Sequence, residues 1–217
     1  MQQTRMWQSV IFCLSLVCLG VSAAQHAYDF KRTVIMMEKP TIYGENVFFR
    51  GGVDYSNREN CSKEIPVDEN RCNIGIRHTV HLSPVYEAAN DWNYYDNYLD
   101  WTGPEPEQGK WNGVAAEGTP AIWTTDDATS PAYHPLNTYG AHYWLADLDV
   151  DCADALEGGY FELKGFFQGK WEDDLPLGKT CTGEAGSPKF ESANHIVRCG
   201  YKNVFHFNSP DCLVEAL

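Results

Sequence analysis

The chain has 217 residues, with 16 Lys and Arg against 30 Asp and Glu, for a formal net charge of −14. It lacks the basic footprint that phosphate contacts require, which excludes nucleic acid as a partner, and its 13% aromatic content is too high for a disordered chain. The length suits one domain with a substantial core.

At the start of the chain, Arg5 precedes an apolar run from Val10 to Leu19 broken only by Ser15, and Ser22-Ala23-Ala24 supplies the small residues of a cleavage site. Residues 1–24 therefore read as a signal peptide and 25–217 as a single secreted, extracellular domain. The apolar run is too short for a permanent bilayer span, and no later segment approaches about 18 apolar residues, so no membrane partner is expected. Beyond the leader stand Cys61, Cys72, Cys152, Cys181, Cys199 and Cys212. An even number in an oxidising compartment reads as three disulfides, with fifteen connectivities open. Cys61 and Cys72 bracket a polar loop and form the natural local pair. None has the spacing of a zinc or redox site. Asn60-Cys61-Ser62 is a glycosylation acceptor sequence with a cysteine at its centre.

Short β-type runs between Gly, Pro, Asn and Asp punctuation follow one another: Thr33–Glu38, Asn46–Val53, Asn73–Val80, Tyr98–Trp101, Ala121–Thr125, Ala141–Leu148, Tyr160–Phe167, Asn194–Val197 and Asn203–Phe207. In Tyr160–Phe167 the alternation puts Phe161, Leu163 and Phe167 on one face, with Glu162 and Lys164 on the other. Helical pattern is scarce. Ser83-Pro84 opens a short helix running to about Ala89, and Asp151 N-caps a two-turn helix to Glu157, closed by Gly158-Gly159. Long polar connections at Thr102–Pro120, Asp126–Thr138 and Gly178–Ser192 have the length of binding loops. The expected fold is all-β, a single antiparallel β-sandwich with long loops and disulfides.

The segment Trp92 to Trp101 holds five aromatic rings in ten residues, interleaved with Asn and Asp. Flat rings beside fixed donors and acceptors suit sugars, which present C–H faces and hydroxyl edges; the competing reading is core rings with hydrogen-bonded polar tips. Asp147, Asp149 and Asp151 alternate with apolar residues, placing three acids on one strand face, where a Ca²⁺ ion would relieve their repulsion. The alternative is a solvated strand edge with Asp151 spent on a cap. Glu172-Asp173-Asp174 reads as a solvated turn. His78 and His81, three apart on a strand, face opposite ways and do not form a joint metal site. No nucleophile elbow, phosphate loop or zinc-protease motif occurs, and no carboxylate pair stands out for glycoside hydrolysis.

Several blocks also recur in a fixed order in one known family. They are Phe49-Arg50-Gly51-Gly52-Val53-Asp54, Ile76-Arg77-His78, Asp96 to Trp101, Ala116-Glu117-Gly118-Thr119 and Trp123-Thr124-Thr125. Pro135-Leu136-Asn137 follows, with Gly140, His142-Tyr143-Trp144, Asp147-x-Asp149-x-Asp151-Cys152 and Gly159 to Lys164. Together, from about Arg32 to Asn208, the chain resembles the extra C-terminal domain appended to some marine bacterial and invertebrate α-amylases. The catalytic (β/α)₈ barrel itself needs roughly 200 or more residues of strand–helix alternation, so the resemblance does not carry amylase activity over. It implies sugar binding, from the appendage's position beside a starch enzyme. Phe161 to Lys164 followed by Trp171-Glu172 also resembles starch-binding β-sandwich modules, in which a Trp at that place stacks on glucose. The family pattern carries Cys61, Cys72, Cys152 and Cys199, which implies the pairs Cys61–Cys72 and Cys152–Cys199, with Cys181–Cys212 as an addition.

The sequence thus points to a secreted, non-enzymatic glycan-binding protein of an extracellular matrix. Its candidate stacking residues are Trp92, Tyr95, Trp101 and Trp171, with polysaccharide as the partner. The second reading is an acidic, Ca²⁺-interacting component of a mineral matrix; a glycoside hydrolase comes third.

Overall fold

The computed structural model describes residues 27–79 and 86–217. The expected leader at 1–24, the end of the third predicted strand at Val80, His81 and the Ser83-Pro84 helix opening lie outside the described residues.

Strands dominate the secondary structure of the described residues. In order, the strands are β1 (Phe30–Glu38), β2 (Val47–Gly52), β3 (Ile74–His78), β4 (Tyr98–Leu99), β5 (Lys110–Trp111), β6 (Val114–Ala115), β7 (Thr119–Pro120) and β8 (Ile122–Thr124). They continue with β9 (Tyr143–Asp151), β10 (Tyr160–Phe167), β11 (Lys170–Trp171), β12 (Thr182–Gly183), β13 (His195–Arg198), β14 (Lys202–His206) and β15 (Ser209–Glu215). Helix α1 is short, Glu87–Trp92. The helix expected from Asp151 to Glu157 is a single 3₁₀ turn, Cys152–Asp154, and Asp151 does cap it, its side chain accepting from the Ala153 N–H. Cys152 is pinned on both sides, by a disulfide to Cys199 and by donation of its N–H to the Asp29 carbonyl, which leaves no slack for a second turn.

Eight strands form the larger sheet, in the order β12-β15-β14-β1-β9-β3-β4, with β8 sharing the β3 edge of β9. Five form the smaller, β11-β10-β2-β7, with β13 on the β11 edge of β10; β5 and β6 make a separate ribbon. The larger sheet is mixed rather than antiparallel throughout, because β1 runs parallel to β14 and β12 parallel to β15. Those partners are far apart in the chain, so no tight turn dictates their direction.

One core takes side chains from both sheets at period two. Ile35, Met37, Ile74, Ile76, Ala146, Leu148, Val150 and Phe205 come from the larger, and Val47, Phe49, Phe161, Leu163 and Val197 from the smaller. The opposite face of the larger sheet is apolar too: Val34, Met36, Tyr143, Leu145 and Val204 lie under Ala89 of α1, with Tyr86, Leu136 and Tyr139 packed around them. A third cluster joins Phe48 and Phe166, on the far face of the smaller sheet, to Trp92 and Ala116.

Three disulfides close the structure: Cys61–Cys72, Cys152–Cys199 and Cys181–Cys212. The last ties the loop before β12 to β15, the C-terminal strand that the Pro and Asp in its sequence concealed.

Candidate functional site: an aromatic cleft on the smaller sheet

The outward face of the smaller sheet positions the site. Strand β10 turns into β11 through Gln168 and Gly169, both with positive φ (49° and 72°), the backbone of a type I′ hairpin. This pairs Trp171 with Phe166 across the ladder, ring centroids 5.1 Å apart and nearly perpendicular. Trp171 remains 41% exposed.

Trp101 arrives from the loop after β4. Its indole N–H donates to the Val53 carbonyl at 3.0 Å, and its ring stands 6.2 Å from that of Trp171 at an interplanar angle of 45°. Immediately before it, Asp100 accepts from the Thr102 N–H and hydroxyl and from the Gly103 N–H, which turns the chain. Beside the rings, the Arg50 guanidinium lies 3.7 Å from the Phe166 centroid and 5.1 Å from that of Trp171, and donates to the Glu117 carbonyl at 2.6 Å. Gly103 makes room for it: φ is +98°, and a Cβ there would meet the guanidinium carbon at 2.6 Å. Burial draws the Arg50 pKa below its ordinary value, opposed by Asp100 and Glu117.

The two Trp rings line an open cleft of about 400 Å³. Asp54, Tyr55, Lys164, Asp174 and Asn194 line it as well, with Glu172. Lys164 reaches Asp174 at 2.6 Å and the Glu172 carbonyl at 3.3 Å. The Glu172 side chain is fully buried and accepts from His195 Nε2 at 2.9 Å, from the Asn208 N–H at 3.2 Å and from the Gly165 N–H. The expectation of a solvated Glu172–Asp174 turn is therefore corrected. A carboxylate supplied with three donors is cheaper to bury than one left alone, so Glu172 turns inward while Asp174 stays exposed. Asp54 takes the hydroxyl and N–H of Ser56. The Tyr55 hydroxyl is buried without a hydrogen-bond partner, and burial raises its pKa.

Two of the four expected stacking residues are thus brought together. Trp92 is a correction: it is 3% exposed, donates its indole N–H to the Val114 carbonyl, and packs edge-on to Phe48, so it is a core ring. Its place at the buried end of α1 decides this, because an apolar helix face turns to the sheet. Tyr95 is exposed, held at φ 66° beside Tyr94, and is not among the residues lining the cleft.

The three acids of the strand expected to meet a cation have partners within the protein. Asp147 is held bidentately by Arg32, at 2.9 and 2.6 Å, and also accepts from the Thr79 hydroxyl. Asp149 lies between Arg32 on β1 and Arg77 on β3 in the register. Asp151 is fully buried and accepts from the Asp29 and Ala153 N–H groups. Arg32, the Thr79 hydroxyl and backbone donors thus relieve Asp147 and Asp151, while Asp149 has Arg32 and Arg77 opposite it on the neighbouring strands. Among the described residues no three His, Cys, Asp or Glu side chains are grouped to hold a metal.

The aromatic block and the loop that follows it contribute three buried carboxylates: Asp96 and Asp100 within the block, and Glu105 after it. Burial raises all three pKa values, and that of Glu105 reaches about 7, with Asp96 as its next cause. His78 answers Asp96 at 2.7 Å. None of the three lines the cleft. Asn60 is exposed, with φ 59°, beside the Cys61–Cys72 bridge.

No family model matches this chain, and no curated protein or solved structure was found to be similar to it.

Sequence reasoning missed Asp54, Tyr55 and Asn194. Asp54 and Tyr55 follow β2 and Asn194 precedes β13, positions with no periodic signal for a cleft; Trp101, Trp171 and Lys164, on the polar face of β10, were the lining residues with a signal in the sequence.

Proposed function

We propose that this is a secreted, non-enzymatic carbohydrate-binding protein built as one β-sandwich, acting in an extracellular matrix. The observation that carries the reading is the pairing of Trp101 and Trp171 over an open cleft. Two aromatic faces at an angle suit the C–H faces of neighbouring sugar units, while Asn194, Asp54 and Asp174 offer edges that hydroxyls can meet. The resemblance to the α-amylase C-terminal appendage supports the same conclusion. A non-enzymatic role is favoured because Glu172, the buried acid at the cleft, is engaged by three donors, and Asp174 is held by Lys164.

The mineral-matrix alternative keeps the net charge of −14 as its support, while Asp147 of the acidic strand that motivated Ca²⁺ is paired with Arg32. Affinity electrophoresis of the native protein through gels containing starch, chitin derivatives and other polysaccharides tests the glycan reading. Retardation in at least one gel, abolished by Trp171→Ala, is expected; unretarded migration in all of them refutes it.

A further inference from the structure

We infer that the Trp101–Trp171 cleft selects polysaccharides without anionic groups, built of neutral or ammonium-bearing sugars, and rejects uronate and sulfate polymers. The inference rests on the glycan-binding reading and adds the ligand's charge class. Lys164 is the one cation lining the cleft among the described residues. It is not available to an anion: its side chain is only 10% exposed, and its ammonium is committed to Asp174 and the Glu172 carbonyl. Arg50 does not line the cleft either; it lies against Phe166 and Trp171, with its Nε on the Glu117 carbonyl.

The charged groups left to meet a ligand are the carboxylates of Asp54 and Asp174, the second with its side chain 84% exposed. Recognition of sulfate or carboxylate works through Arg or Lys forks that are free to turn toward it. Here a bound anion would face the Asp54 carboxylate and the exposed Asp174, already paired with Lys164, and among the lining residues no free donor of positive charge. The chain's net charge of −14 adds a long-range repulsion toward anionic polymers that salt screens. Neutral sugars meet no such penalty, because a hydroxyl can donate to Asp54 or Asp174 and stack its ring on either Trp. An ammonium group in place of a hydroxyl gains a charge-assisted bond to the same carboxylates.

The test is affinity electrophoresis and isothermal titration of the native protein against soluble starch, a partially deacetylated chitin oligomer, alginate and heparin, at 20 and 500 mM NaCl. Binding to starch or the chitin oligomer at least tenfold tighter than to alginate or heparin is expected. The paired variant Asp54→Asn with Asp174→Asn is expected to narrow that ratio several-fold, whatever it does to the absolute affinity for starch; an unchanged ratio overturns the charge class. Tighter binding of alginate or heparin by the native protein, lost in Trp171→Ala, overturns the charge class and leaves the glycan reading standing. Absence of binding to all four overturns both.

Discussion

Trp101 and Trp171 stand 6.2 Å apart, although one belongs to a loop after β4 and the other to the edge strand β11. Trp171 gives up little burial at 41% exposure, whereas Trp92 is sealed in the third apolar cluster. Replacing Trp171 by Ala should therefore weaken glycan binding about tenfold, the value of one stacked ring, with a stability loss of only about 1 kcal/mol. Trp92→Ala should do the reverse, costing about 3–5 kcal/mol of folding stability. Denaturant unfolding beside binding titration separates the two; a Trp171→Ala protein as unstable as Trp92→Ala would show that the cleft ring is structural.

Gly103→Ala probes the support beneath the rings. The added methyl needs a backbone with φ near +98° and meets the Arg50 guanidinium at 2.6 Å, so Arg50 must leave its place against Phe166 and Trp171. The expected cost is about 1–3 kcal/mol, with a matching drop in glycan affinity. Near-neutral thermal unfolding of this variant would contradict the packing described.

Glu105 sets a pH dependence. Its pKa stands at about 7 in the folded protein, above the ordinary carboxylate value, so the folded state holds this proton more tightly than the unfolded chain does. Its contribution to stability is therefore unperturbed at low pH, falls as pH rises from about 4.5, and levels off above about 7. Glu105→Gln keeps the acceptor for the Asn97 and Tyr98 N–H groups and cannot ionise. At pH 8 it should be more stable than the native protein by on the order of 2 kcal/mol, allowing for partial screening, with little advantage at pH 4.5. Parallel stability–pH curves for the two proteins would remove this assignment.

Arg32 guards the acidic strand. Its side chain is half exposed but its partner Asp147 is almost wholly buried, so Arg32→Ala leaves an interior carboxylate that has, among the described residues, no countercharge and only the Thr79 hydroxyl on it, and should cost about 2–4 kcal/mol. Millimolar Ca²⁺ should leave the native melting temperature unchanged. A calcium-dependent rise of several degrees in the native protein would restore the cation reading of Asp147–Asp151.

The sequence alone determined the β-rich class and nine of the strand positions, since period-two alternation is a local property that no distant contact need supply. The acceptor sequence at Asn60 and the even set of cysteines are likewise local, and the disulfide pairs implied by resemblance are those found. Tertiary structure decided what each motif is for. Trp92 and Trp101 bound one aromatic block, yet a helix end buries the first and a turn at Asp100 delivers the second to a cleft. Asp147 reads in sequence as a candidate cation ligand, and only the fold brings Arg32 on β1 to it, a contact across 115 positions of chain. The parallel pairing of β1 with β14 also depends on partners at opposite ends of the chain. Which strand lies beside which is a collective result of burying both sheet faces, and no short window of residues contains it.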